Sequence, residues 1–277
     1  PTTISRVTKK FWKKMVSIQV LVFGGALIAA LAATIDSFLI AGMLGLTEVG
    51  IFVWAQYAAA LIQVPQRSIQ AVSVGVLSKA WKDKNFPEIN RIYARSCINL
   101  LIMALFIFGN IWLNAKEGMI ALNIQKAYLD GLGVIFVLGM VRIIDAGTGL
   151  NAIVINTSTF WRFDFYSGVV LLALRLPLTY FLIKNYGIIG SAFAELFAYG
   201  TYNFIRFEFL RRKFNMQPFT RKTAYTLLLG AAAYAVTYFA FDGITGWTGI
   251  LLKGSLFSVL MISGVFYLDL TPDARQL

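Results

Sequence analysis

Long apolar runs alternate with short charged segments along the chain, and each run has the length of a membrane-spanning helix. Eight spans can be read, at 16–43, 49–77, 96–113, 130–155, 164–183, 187–208, 223–241 and 247–268. About 20 apolar residues cross the hydrocarbon of a bilayer, so the expected fold class is an all-α integral membrane protein with about eight transmembrane helices. The stretch from Val169 to Tyr202 reads as two such helices folded back on each other around Lys184, Asn185 and Tyr186. Gly187, Gly190, Ser191 and Ala194 recur at helical spacing on the second of them. Small residues in this pattern let another helix approach closely.

Composition agrees with the pattern. Of 277 residues 58% are hydrophobic, and the mean hydropathy is +0.70, against roughly 45–50% apolar residues in a soluble domain. The chain has no histidine, which removes His-based acid–base catalysis and Ser–His or Cys–His nucleophiles. The lone Cys97 excludes an intrachain disulfide and any multi-Cys metal site. No catalytic residue, metal site or cofactor is therefore expected, and the chain does not read as an enzyme.

Lys and Arg set the expected orientation. The segments 1–15, 78–95, 156–163, 209–222 and the tail, together with Arg206, hold 18 of the 25 Lys and Arg. Segments on the opposite side carry Lys116, Lys126 and Lys184. By the positive-inside rule both termini are cytoplasmic, in a multi-pass protein of the plasma or inner membrane. The net charge of +12 follows from this topology and from attraction to anionic lipid. Nucleic acid is not expected as a partner, because the basic residues flank spans instead of forming a folded basic face. The chain opens at Pro1, and Lys9, Lys10, Lys13 and Lys14 precede a first run too long for a signal peptide and without its cleavage site. A piece of a longer protein is expected.

Two basic segments carry aromatics. In KAWKDKNFPEINRIYARS, Trp81, Ile89, Ile92 and Tyr93 are expected to lie in the membrane interface while Lys82, Lys84, Arg91 and Arg95 face headgroups. In NFIRFEFLRRKFNMQPFTRK, aromatics alternate with basic residues as an anchoring belt.

Six charges fall at membrane depth. A helix rises about 1.5 Å per residue, so position in a span gives depth. Arg142 and Arg175 lie near the centres of the fourth and fifth spans, Asp36 in the outer half of the first, and Glu195 slightly outside the centre of the sixth. Arg67 lies in the inner half of the second span among Gln63, Pro65, Gln66 and Gln70. Asp145 follows Arg142 by three residues on one helix face, and Thr148 and Asn151 extend that stripe. Internal pairing, for example of Arg142 with Asp145, is one account of these residues, since buried membrane charges do pair. Six charges on five helices exceed what holding helices together requires, and a hydrated polar cavity between helices is expected. Pro65 and Pro177 fit it, because a broken helix at membrane depth is tolerated where neighbours or water satisfy the freed carbonyls.

Two stretches resemble a known family. RLPLTYFLIKNYGIIGSAFAELFAYGTYNFIRFEFLRRKFNMQPF and ATIDSFLIAGMLGLTEVGIFVWAQYAAALIQVPQRSIQAVSVGVLSKAWKDKN resemble polysaccharide flippases. These belong to the multidrug/oligosaccharidyl-lipid/polysaccharide (MOP) superfamily, which includes the MATE exporters. The first is similar to the family's "LIP-x-YG-x-x-GAA-x-A" helix pair, with Lys184-Asn185 before Tyr186-Gly187 and Ser191-Ala192 after Gly190. The second is similar to the Asp-containing opening helix of a lobe, its short outer turn and the "P…S" helix leading to a basic loop. The resemblance implies a cytoplasmic basic segment 1–15, a six-helix C-terminal lobe over 16–208, a basic cytoplasmic loop 209–222, two additional helices over 223–268 and a cytoplasmic tail 269–277. It also implies a missing N-terminal lobe as partner, and that this piece alone would not transport.

The implied function is translocation of a polyprenyl-diphosphate-linked oligosaccharide for polysaccharide synthesis of the O-antigen or capsule type. Arg67, Arg142 and Arg175 are the candidate substrate-binding residues, since a guanidinium donates paired hydrogen bonds to diphosphate. Asp36, Asp145 and Glu195 are the candidate ion-coupling residues, for a proton or sodium ion. A cation-coupled multidrug exporter is the nearest alternative, though its cavity should be acidic or aromatic where this one balances three acids with three arginines. A membrane-embedded glycan or lipid transferase would want a metal-binding acidic pair in a sizeable loop, and the outer loop 114–129 carries only Glu117 near its start. A structural membrane subunit with no transport of its own would have little use for the buried charges.

Overall fold

A computed structural model describes residues 9–273. The beginning of the segment 1–15, with Pro1, and the end of the tail 269–277 lie outside the described residues. Every regular element among the described residues is helical: α1 (Lys9–Met43), α2 (Leu46–Ala60), α3 (Val64–Lys82), α4 (Phe86–Ala121), α5 (Leu132–Gly147), α6 (Asn151–Asn156), α7 (Trp161–Tyr186), α8 (Ile188–Phe214), α9 (Arg221–Ala240) and α10 (Gly246–Tyr267), with short 3-10 turns at Leu61–Gln63 and Lys126–Gly131. Seven described segments are long and apolar enough to cross a membrane: Phe11–Met43, Leu46–Lys82, Phe86–Ala121, Lys126–Gly147, Trp161–Tyr186, Arg221–Ala240 and Gly246–Tyr267. This is an all-α, multi-pass membrane architecture. The sixth expected span, α8, is long enough at 27 residues but is not among those seven. Its buried face includes Ser191, Glu195, Asn203 and Arg206.

Helices α7 and α8 form the hairpin expected around 184–186. Gly187, at φ 66°, serves both as the last cap of α7 and the first of α8, a backbone conformation open mainly to glycine. It is not part of the packing face, since a Cβ there would meet nothing within 4 Å. Gly190 is: a Cβ would sit 2.1 Å from the Leu182 carbonyl oxygen. Ser191 and Ala194 are buried beside it. α8 packs on α5 along its other side, and α1 packs on α7.

Two apolar clusters bracket the bundle. One joins Leu77, Ile89, Tyr93, Leu100, Leu150 and Leu210, and the other Ile40, Phe52, Ile135, Leu138 and Ile183. α9 and α10 pack on α4 and on each other, with Phe257 pressed against Gly109, where a Cβ would lie 2.1 Å from the ring.

Several expected loops are shorter than the sequence suggested. The segment 78–95 is helical except for a three-residue turn, 83–85, between α3 and α4. Asn85 caps α4 by accepting from the Glu88 backbone N–H at 3.2 Å, and Pro87 follows in its first turn, where a missing N–H costs nothing. Ile89 and Tyr93 are fully buried in the first cluster and do not lie in the interface: α3 and α4 turn back tightly enough to bring helical packing to that end. Trp81 is tied down as well, its indole donating to the Val154 carbonyl at 3.0 Å. The expected loop 209–222 begins inside α8, which runs to Phe214 and ends on Asn215 in the left-handed region. The fourth span breaks after Gly147, where Gly149 at φ 65° separates α5 from α6. Pro65 sits in the first turn of α3, after the 3-10 break in the second span, and Pro177 lies inside α7.

Candidate functional site: a buried chain of charges

The buried face of α8 carries Ser191, Glu195, Tyr199, Asn203 and Arg206, at spacings of three or four residues that stack them on one side of a helix. At 1.5 Å per residue this stripe is about 22 Å long, most of the hydrocarbon thickness. Side chains from α5, α6 and α7 meet it directly, and α1 and α3 join through them by Asp36 and Gln66.

Glu195, 1% exposed, pairs with two arginines: Oε1 lies 2.9 Å from Arg142 Nη2 in an ion pair, and Oε2 accepts from Arg175 Nη2 at 2.8 Å. The same Arg175 nitrogen donates to Asp36 Oδ2 on α1, and Thr179 Oγ1 donates to the other Asp36 oxygen at 3.2 Å. Asp36–Arg175–Glu195–Arg142 is thus a neutral chain of two acids and two bases drawn from α1, α7, α8 and α5. Both guanidiniums lie within 6 Å of the Tyr199 ring centroid, Arg175 at 5.6 Å and Arg142 at 5.9 Å, where the ring face attracts a cation. Asp36 and Arg175 are enclosed, while the Arg142 side chain keeps 12% exposure at the open end. Nε of both arginines and the Ser191 hydroxyl are buried without a partner.

Asp145 does not pair with Arg142 through a salt bridge. Arg142 turns to Glu195, and Asp145 is held by three amides: Gln63 Nε2 at 3.3 Å, Gln66 Nε2 at 3.1 Å and Asn203 Nδ2 at 3.1 Å. The Asn203 carbonyl in turn accepts from Thr148 Oγ1 at 3.0 Å and Asn151 Nδ2 at 2.9 Å. The stripe Arg142, Asp145, Thr148 and Asn151 is therefore real, and its counterpart is α8. Asn203 is the joint, and replacing it by leucine takes a partner from three polar groups, Asp145, Thr148 and Asn151. The expected cost is about 1–3 kcal/mol, read as a lower melting temperature in detergent. Asn185→Leu, at an exposed amide bonded only to Phe181 of its own helix, should leave that temperature unchanged.

The structure brings together five of the six expected residues. Arg67 stands apart, exposed on α3. A third polar pair was not expected: Arg206 on α8 is 5% exposed, pairs with Asp164 on α7, donates to Ser167 Oγ at 3.2 Å and stacks 3.8 Å from the Tyr202 ring centroid. The positive-inside count absorbed Arg206 as a helix-end residue. The signal that identifies it is its register with Glu195, Tyr199 and Asn203. No protein-family model, curated protein or solved structure matches this chain.

Proposed function

We propose that this chain is the second lobe of a MOP-type flippase that moves a polyprenyl-diphosphate-linked oligosaccharide across the membrane, with the first lobe completing the pathway. The observation that carries the reading is the neutral charge chain buried at membrane depth across four helices. Intramembrane ionisable residues mark substrate and ion pathways, and this chain has an enclosed end at Asp36 and an open end at Arg142. The roles divide accordingly. Arg142 at the open end and exposed Arg67 are the groups that meet a diphosphate. Arg175 holds Asp36 and Glu195, and joins the path only when those acids bind a proton or cation. Asp145, which has amides but no cation within salt-bridge distance among the described residues, is the first candidate for the coupling ion. Rocking of the two lobes then exposes the path to alternate sides.

The orientation belongs to the same proposal. With 1–15, 78–95 and 209–222 cytoplasmic, Lys84→Cys or Lys213→Cys in a Cys97→Ala background should resist a membrane-impermeant maleimide in intact cells and react in inverted vesicles. Labelling of either from outside contradicts the topology. The function is tested by deleting the gene in its native setting. Lipid-linked oligosaccharide should accumulate with its glycan facing the cytoplasm, and surface polysaccharide should fall. Unchanged polysaccharide with new sensitivity to cationic drugs would favour a multidrug exporter.

A further inference from the structure

A cavity of about 320 Å³ lies between α1, α7 and α8, with Asn156 of α6 at its wall, and it adjoins the charge chain through Tyr199. That volume is at the lower end of small-ligand sites, roughly 300–1,000 Å³. Its walls differ in kind. On α7, Trp161 and Phe165 stand one turn apart, and on α8 Tyr199 and Tyr202 do the same, their rings edge to face at 6.0 Å. Asp164 and Asn156 also line it. The α1 wall is small and aliphatic, with Gly25, Ala26 and Ala32.

Partly buried Tyr hydroxyls and Trp indole N–H groups ordinarily find hydrogen-bond partners. Among the described residues the hydroxyls of Tyr199 and Tyr202, the Trp161 N–H and the Asn156 amide have none. The cavity thus offers aromatic side chains, with Arg206 stacked on Tyr202 and Arg162 over Trp161, together with donors and acceptors that have no partner among the described residues. Its electrostatics select neither sign of charge. Asp164 is already neutralised by Arg206, and the guanidiniums near Tyr199 are balanced by Glu195 and Asp36. An organic cation would meet three arginines around the tyrosines, and an anion would meet Asp164. A neutral ring with an apolar face and a hydroxylated edge fits best.

We infer that this cavity is a binding site for an uncharged pyranose ring, stacked on Trp161 and the tyrosines with its hydroxyls taken by Asp164 and Asn156. The site stands on the cavity alone; that its sugar belongs to the transported glycan rests on the flippase reading. The full chain in nanodiscs, carrying Cys97→Ala and Gly168→Cys, reports occupancy directly. Gly168 lines the cavity, and a Cβ there meets only Ile28 at 3.9 Å, so the thiol is accommodated. The rate of its modification by a methanethiosulfonate reagent is measured with octyl glucoside, octyl galactoside and octyl N-acetylglucosaminide below their micelle concentrations. Octanol, octyltrimethylammonium and octanoate control for chain and charge.

At least one pyranoside should slow the reaction and the three controls should not. Trp161→Leu should weaken that protection about tenfold, the equivalent of about 1.4 kcal/mol. Asn156→Ala, at an exposed and unpartnered side chain, should weaken it without altering thermal stability. No protection by any pyranoside, equal protection by octanol or octyltrimethylammonium, or full protection in both variants overturns the inference. Protection with normal polysaccharide export in the gene deletion keeps the site and removes the flippase reading. Failed export with no protection keeps the flippase and removes the site.

Discussion

Gly190→Leu is expected to remove most folded protein from the membrane. A Cβ at this position would lie 2.1 Å from the Leu182 carbonyl oxygen and 2.9 Å from the Ile183 nitrogen. Both are backbone atoms of the facing helix and cannot rotate aside. Overpacking of side chains costs about 1–3 kcal/mol, and forcing two backbones apart should exceed the upper end. Gly190→Ala is then nearly as damaging, because the first added carbon already collides. Phe193→Leu, at a side chain 42% exposed, and Gly200→Leu, where a Cβ meets nothing within 4 Å, are the controls. Abundance and melting temperature in one detergent decide it. Equal values for all four variants would mean that α7 and α8 do not touch at Gly190.

Arg175→Ala is the second large effect. It leaves Asp36 and Glu195 buried, with only Arg142 left to balance them. Removing one partner of a buried pair costs about 3–5 kcal/mol, and in hydrocarbon there is no bulk water to compensate. The contact geometry makes a finer distinction. A single nitrogen, Nη2, reaches both carboxylates, so the planar fork is not used on them and a point charge can substitute. Arg175→Lys should therefore retain most of the stability that Arg175→Ala loses. The neutral set Arg175→Met, Asp36→Asn and Glu195→Gln should fold better than Arg175→Ala alone, measured by thermal unfolding. An alanine variant as stable as the parent would show that the acids are protonated or hydrated and that Arg175 does not hold them.

Much of the fold was legible because hydrophobic run length reports bilayer thickness directly, and the seven long apolar segments and the hairpin at 184–187 follow from it, while the spacing of small residues marked Gly190. The ends were less legible. Ile89, Tyr93 and the start of 209–222 look amphipathic in sequence, and only the tight turn at 83–85 and the continuation of α8 to Phe214 show that they pack. Of the site, depth alone singled out Asp36, Arg142, Arg175 and Glu195. Their partners were not readable, because spacing along one helix favours local pairs. Arg142 and Asp145 are neighbours on α5, yet each finds its partners on other helices, Glu195, Asn203 and two glutamines. Register on α8 was the missing cue, since one residue's depth says nothing of the four stacked with it.

The charge chain either guides transport or only ties helices together, and one balanced substitution separates the two. Arg142→Met with Glu195→Gln removes one positive and one negative charge and leaves Arg175 paired with Asp36. The double variant is placed in the native gene, and surface polysaccharide per folded molecule is measured together with the leaflet distribution of lipid-linked oligosaccharide. Normal membrane abundance with lost polysaccharide, and the oligosaccharide held on the cytoplasmic face, is the predicted result. Full export at normal abundance would contradict the account and leave the chain of charges as a strut.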